Sequence, residues 1–261
     1  MHAVRHVMFE RLFRARLVFA AAAAFGCGVP LLRAQAVNES ALPFAVGERL
    51  VYRIHVGVIG TVGQGTMAVE GPAEIRGTTT YQLTADFRVR VAWMGGFDRT
   101  DSWLDPERMA ILRSETHEQH PFSRHEERIS VFPSEARWTT DAGRTGTSPT
   151  AAPLDELAFI YYVRTMPLAP DSAYRVDRHY DPARNPVEVR VLGRETVHTG
   201  AGDFATILVE MRVKDPRRFE REGIIRLNLT DDERRIPVRI RSVIPALGTA
   251  VFTLESFELG R

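Results

Sequence analysis

LNLTDDERRIPVRI, residues 227–240, poses the first structural choice. Its centre carries four consecutive charges, Asp231, Asp232, Glu233 and Arg234. They form either a carboxylate cluster with a catalytic use or the tip of a turn. Both flanks alternate: IIRLNLT (224–230) before, IPVRIRSVI (236–244) after. Period-two alternation marks strands with one buried and one wet face. Aspartate favours turns because its side chain bonds nearby backbone. Carboxylates at a turn tip stay solvated, so nothing raises their pKa towards the range a general acid needs. The stretch therefore reads as a β-hairpin.

The same alternation runs through most of the chain. RLVYRIHV (49–56) puts Leu50, Tyr52, Ile54 and Val56 on one face. TYQLTADFRVRV (80–91) sets Tyr81, Leu83, Ala85, Phe87, Val89 and Val91 against Gln82, Thr84, Asp86, Arg88 and Arg90. VEVRVLGRETVH (187–198), ATILVEMRV (205–213) and TAVFTLESFEL (249–259) continue it. Short Gly-, Asp- or Pro-containing links predict antiparallel hairpins.

One segment breaks the rhythm. TAAPLDELAFIYYVRTMPL (150–168) predicts a helix, a rod over Leu154–Met166 bracketed by Pro153 and Pro167. Asp155 and Glu156 fall in its first turn and Arg164 near its last, matching the helix dipole. Apolar residues cover nearly its whole circumference, so it is expected to be buried on most sides. The fold class that follows is mostly β: a strongly curved antiparallel sheet or open barrel, clam-like, wrapped around one central α-helix. The loop DAGRTGTSPTAAP (141–153) is the softest stretch. A single domain over 37–261 is favoured across it, because a lone sheet needs a cover for its apolar face.

The N-terminus reads as a targeting signal. MHAVRHVMFERLFRAR is basic, LVFAAAAAFGCGVPLL is uncharged, and RAQA ends in a small-x-small site. This is a secretory signal peptide over 1–36, with cleavage after Ala36. A membrane span needs roughly 20 apolar residues, more than this broken run supplies. The expected location is periplasmic or secreted. FGC at Phe25–Cys27 leaves open a second route, acylation at Cys27 as an outer-membrane lipoprotein. Cys27 is the only cysteine. Its removal with the signal would exclude disulfides and thiolate chemistry from the mature chain. Formal net charge is +1, with arginines and acids interspersed. No basic stripe exists for nucleic acid.

Three motifs invite functional readings. GVIGTVGQG (57–65) is glycine-rich, but a strand-like TMAVE follows where a phosphate loop needs a helix. It reads as a hairpin. THEQHPFSRHEER (116–128) holds His117, His120 and His125, three imidazoles that could bind zinc with an open fourth position. In a strand, however, His117 and His120 face opposite sides. The bland alternative is a polar outer edge or hairpin turn, and no metal ligand is assigned. AWMGGFDRTDSWLD (92–105) mixes aromatics with a glycine pair and reads as a ligand mouth or a tight turn flanked by core residues. No nucleophile pattern and no cofactor motif is present, so no catalytic residue and no cofactor is assigned.

Several stretches together carry a family resemblance: PFAVGERLVYRI (43–54), DELAFIYYVRTMPL (155–168), VLGRETVHTGAGDFATILVEM (191–211), the opening LNLTDDERRIPVRI, and GTAVFTLESF (248–257). In that order they resemble the bacterial envelope proteins grouped as domain of unknown function 3108, over nearly all of Phe44–Phe257. Glu156 and Ala158 depart from the familiar pattern. The resemblance implies a secreted β-rich domain with one central helix and brings no activity and no catalytic residues.

The functional expectation is a non-enzymatic envelope protein. It would bind a lipid or other amphipathic ligand, or an envelope partner, between the sheet and its helix, with no transmembrane span in the mature chain. Trp93, Met94, Phe97, Phe159 and Tyr162 are the expected lining residues. The alternatives are a metal-dependent hydrolase using the histidines and a purely structural envelope module.

Overall fold

The computed structural model describes residues 42–92, 94–214, 223–244 and 248–260. The expected signal peptide over 1–36, its expected cleavage site and Cys27 lie outside the described residues.

Alternation becomes strand as expected. β1 (Arg49–Val56) buries Leu50, Tyr52, Ile54 and Val56 and exposes Arg49, Arg53 and His55. Then follow β2 (Gly60–Ile75), β3 (Thr78–Val91), β4 (Met94–Asp105), β5 (Ala110–His120), β6 (Ser123–Phe132), β7 (Arg137–Thr140) and β8 (Thr145–Thr147). The one α-helix among the described residues, α1 (Glu156–Arg164), comes next. β9 (Ala173–Val176), β10 (Val187–Thr199), β11 (Gly202–Val213), β12 (Gly223–Thr230), β13 (Pro237–Ile244) and β14 (Gly248–Glu258) complete the order.

All fourteen strands join one sheet, in the order β8-β7-β6-β5-β4-β3-β2-β1-β14-β13-β12-β11-β10-β9. Every pairing is antiparallel. β8 and β9 are the two edges and do not pair with each other, so the sheet is not closed. The chain thus starts mid-sheet, meanders to one edge, crosses with α1, and meanders back until β14 meets β1. Antiparallel neighbours need only short turns, and the crossover is the one place that needs a longer element. Two short edge strands also limit the backbone left open to further pairing.

The opening stretch is a hairpin. β12 and β13 flank it, and Asp232 Oδ1 accepts from Thr230 Oγ1 (2.6 Å) and from the Arg234 and Arg235 amides (3.1 Å each). The glycine-rich stretch is likewise the β1–β2 hairpin. A Cβ at Gly63 would collide with the Arg88 carbonyl, and one at Gly65 with the Phe87 ring. These glycines permit close strand approach rather than cradling phosphate.

α1 is shorter than the expected rod. Asp155 is its N-cap rather than a first-turn residue, accepting from the Ala158 amide at 2.8 Å. The same carboxylate accepts from Ser102 Oγ on β4 at 2.5 Å. Around the helix Leu157, Ala158, Phe159, Tyr161, Tyr162, Val163 and Arg164 are all buried. One apolar cluster joins them to side chains from β1–β6 and β9–β14. Each fully buried aliphatic or aromatic side chain in it is worth about 1.5–3 kcal/mol of transfer free energy.

Both ends of the crossover are tied down. The Ile111 amide donates to Pro153 O (2.8 Å), the Leu154 amide to Arg178 O (2.7 Å) and the Tyr180 amide to Leu154 O (3.0 Å). At the other end Arg164 makes a two-pronged ion pair with Glu48, 2.7 Å on each prong. It also donates to Pro43 O (2.8 Å) and to Arg234 O in the β12–β13 turn (3.0 Å). Both charged side chains are excluded from solvent.

Three expectations need correction. The soft loop 141–153 contains an edge strand, β8, paired with β7. Residues 94–105 form the long strand β4 rather than core around a turn. α1 loses a turn because its capping residue, not Leu154, sets its start.

Candidate functional site

Register divides the sheet into a face that meets α1 and a face turned away from it. Leu83 on β3 is fully buried in the core, and its partner on β4 is Ser102. Residues paired across neighbouring strands share a face. Thr100, opposite Ala85, and Asp98, opposite Phe87, therefore lie on the α1 face. Phe97, opposite Arg88, lies on the other face, where the Arg88 guanidinium stands 5.3 Å from its ring centre.

That outward face holds a depression of about 570 Å³. It runs over β1–β4, with Gly63 and Gly65 contributing bare backbone and Gln64, Thr66 and Thr84 short polar side chains. Arg49, Arg88 and Arg99 line it together with Glu70 and Asp86. Arg99 is held in place: its Nε and Nη2 donate to the two oxygens of Asp101 at 2.8 Å each. Gln82 donates to the same carboxylate at 3.1 Å. The bond to Asp101 raises the Arg99 pKa. A second, smaller hollow of about 260 Å³ sits beside it, lined by Phe97, Arg99, His117, Glu118, Gln119, Arg124 and Glu126.

The five expected lining residues are not brought together. Trp93 lies outside the described residues, and Met94 opens β4. Phe97 is on the outward face. Phe159 and Tyr162 are on α1, 1 % and 5 % exposed, their rings edge to face at 6.3 Å. Phe159 also stacks on His179, which is buried and accepts from the Asp181 amide through Nδ1 at 3.0 Å.

The histidine trio is not assembled either. His117 pairs with Glu126 on the outward face. His120 and His125 lie on the other face, and His120 Nε2 is 3.0 Å from Asp98 Oδ1. Among the described residues no three His, Cys, Asp or Glu side chains are placed to share a metal ion. The odd spacing of His117 and His120 is the reason, and the hairpin at Pro121 does not reverse it.

Two features escaped the sequence reading. The buried Arg164–Glu48 pair joins residues far apart in sequence, and Arg164 alone reads as an ordinary last-turn cation. Burial pushes the Tyr161 and Tyr52 phenols beside this pair well above the usual range. Both hydroxyls therefore stay neutral donors, Tyr52 to Pro237 O at 2.8 Å and Tyr161 to Ala68 O at 3.4 Å. The outward depression depends on side chains from four strands converging, which alternation alone does not reveal.

A family profile described as a protein of unknown function (DUF3108) matches residues 51–255. The chain belongs to the DUF3108 family. The DUF3108 chain also resembles solved structures. One is a β-barrel-like protein of domain of unknown function DUF1849 from Brucella abortus, with a TM-score of 0.58 at 10% identity over 84% of this chain and 99% of that one. Another, from Bacteroides fragilis, has a YmcC-like fold and is described as exported. Its TM-score is 0.33 at 13% identity, over 83% of this chain and 98% of that one. A third, from Parabacteroides distasonis, is described as a lipoprotein, with a TM-score of 0.33 at 11% identity over 85% and 100%. No functionally curated protein matches the chain. The DUF1849 likeness establishes a β-barrel-like fold for the DUF3108 chain. Among its described residues no helix is long and apolar enough to cross a membrane.

Proposed function

We propose that this DUF3108 chain is a non-enzymatic envelope protein that binds an amphipathic ligand or partner. In this reading the two halves of the sheet close on α1 as a clam does. Export rests on the basic-apolar-small pattern of residues 1–36. The binding site is the outward depression over β1–β4, because Phe159 and Tyr162, on the other face, are taken up by the core.

One observation carries the reading: the depression's volume falls in the range of small-molecule sites, and its polar groups converge from four strands. Arg49 and Arg88 would meet an anionic head group, while half-buried Val51 and Gly63 would lie along an apolar stem. Arginine suits this because its planar fork pairs two-pronged with carboxylate or phosphate.

Native mass spectrometry of gently purified mature chain tests it. The expected result is a co-purifying small molecule that is lost from Thr66→Trp, which fills the depression. A ligand-free wild type, or a ligand retained by Thr66→Trp, overturns the site.

A second reading, a purely structural envelope module, is favoured by the solvent-excluded Arg164–Glu48 pair that locks α1 in place. A wild-type chain that carries no ligand supports it.

A further inference from the structure

The two edges of the sheet, β8 and β9, do not pair, so other contacts must hold them across the gap. Residues 177–186, the link from β9 to β10, supply them. Arg178 donates to Ala152 O (2.8 Å) in the link from β8 to α1 and to Met109 O (2.5 Å) in the β4–β5 turn. Leu154, just before α1, takes the amide of Tyr180 and gives its own to Arg178 O. The Tyr180 ring meets Trp138 of β7 edge to face at 5.7 Å. The link is thus a strap over the gap, drawn against the start of α1.

His179 sits at the centre of the strap. It is 2% exposed and is the one buried histidine among the described residues. Its ring lies nearly parallel to Phe159 of α1 at 6.4 Å and against Tyr180 at 4.7 Å. Asn185 clamps its backbone, accepting from the His179 amide and donating to His179 O, 2.9 Å each.

The tautomer follows from one bond. Nδ1 is 3.0 Å from the Asp181 amide. A backbone N–H only donates, so Nδ1 carries no proton and the neutral ring holds its hydrogen on Nε2. A second proton has one place to go, Nδ1, where it would face another N–H. The strap cannot keep both that bond and a charged ring.

None of the charged groups nearby stands at Nδ1 to receive the proton's hydrogen bond. Glu156 of α1 is 3.5 Å from Nε2, the nitrogen that already bears hydrogen. It is half exposed and pairs with Arg184 of the strap, so its pull on the ring is weak. Asp155 is engaged by Ser102 and the Ala158 amide, and Asp181 Oδ1 by the Ala183 amide. Arg178 and Arg184 carry the same sign as an imidazolium. The Tyr162 and Tyr180 phenols are the remaining titratable neighbours.

We infer that His179 is an acid-released latch on the strap 177–186. Protonation at Nδ1 breaks the bond to Asp181, frees the strap from Leu154 and Trp138, and parts the two edges of the sheet. α1 stays packed, but Phe159 and Tyr162 lose their cover. The latch is independent of the ligand reading, which uses the outward face of β1–β4. Only the open strap takes up the proton. Its closure is therefore complete above the ordinary histidine range, about pH 6.5, and is lost as pH falls below it.

Hydrogen exchange of the strap amides in the whole mature chain, corrected for the intrinsic effect of pH, tests this. The amides of His179, Tyr180 and Asp181 should open about thirtyfold more at pH 5.0 than at pH 7.5, the factor for an ordinary histidine that titrates only when open. At both pH values they should open more readily than amides of β12, which marks a local event. His179→Asn keeps an acceptor near the Nδ1 position but cannot take the proton, and its opening should differ less than about threefold between the two pH values. Glu156→Gln should keep the wild-type response. Nitrogen NMR of the wild-type imidazole, which needs no variant, should show the Nε2–H tautomer at pH 7.5. Wild-type opening that ignores pH overturns the latch. So does a His179→Asn chain that keeps the thirtyfold change, a Glu156→Gln chain that loses it, strap amides that open only with β12, or an Nδ1–H tautomer.

Discussion

Strands β3 to β6 present two regions on a single face. Where they pass α1, that face carries Leu83, Leu104, Ile111 and Ile129, all buried in the common core. Further along the same strands it carries Thr100, Asp98, Thr116, Glu118 and Glu127. Strand neighbours are continuous through the change, although the β4–β5 register shifts between Trp103 and Leu104. What differs on β4 to β6 is the helix: their face is apolar where α1 covers it and polar where these strands run past it. α1 therefore sets the extent of the main core on β4 to β6, while on β3 the same face continues through Phe87, Val89 and Val91 into a second apolar cluster around Ile54, Val56, Val62 and Ala250.

Substitutions at the packed level should break this contrast most strongly. Arg164→Ala strands Glu48 as an unpaired buried charge and is expected to cost about 3–5 kcal/mol in urea unfolding. Replacing both partners, Arg164→Met with Glu48→Gln, should restore much of that loss. Leu104→Ala, at a fully buried site, is expected to cost about 2–5 kcal/mol by transfer and cavity terms. Thr116→Ala, on the same face but beyond the helix, should stay within about 0.5 kcal/mol. Equal costs at Leu104 and Thr116 would remove the distinction between the two regions.

Asp155→Ala probes the join between them, since its carboxylate caps α1 and holds Ser102 of β4 together. The expected loss is about 1–2 kcal/mol, with Asp155→Asn recovering part through the cap.

A smaller effect belongs to the other half of the sheet. Glu210 is buried, which alone raises its pKa, but hydrogen bonds from Arg226 (2.9 Å) and Arg212 (3.0 Å) outweigh burial and hold it below the ordinary carboxylate range. A depressed pKa contributes stability that is full above the unfolded value and is lost as pH falls through the folded value. Glu210→Gln should therefore flatten the acid side of a stability–pH curve and leave its alkaline side parallel to wild type.

The packed region was the legible one. Alternation in 49–56, 80–91 and 224–244 gave the strands, and the all-round apolar character of 154–166 gave a buried helix. β4, β5 and β6 were not readable as strands at their far ends, because polar residues on both faces leave no period to detect. The short edges β7, β8 and β9 were missed for want of length. The outward depression and the Arg164–Glu48 pair were hidden for a different reason. Each is made by residues distant in sequence, and no local pattern encodes their meeting. The resemblance to domain of unknown function 3108 did hold, over residues 51–255.

Native-state hydrogen exchange, read residue by residue, tests most directly the claim that α1 defines the core. Amides of α1 and of the strand segments beside Leu83, Leu104, Ile111 and Ile129 should exchange only through global unfolding. Those flanking Thr100, Thr116 and Glu127 should exchange at a lower opening free energy. Exchange of α1 ahead of the upper strands would contradict the account, because a helix that opens first cannot be what the sheet is packed around.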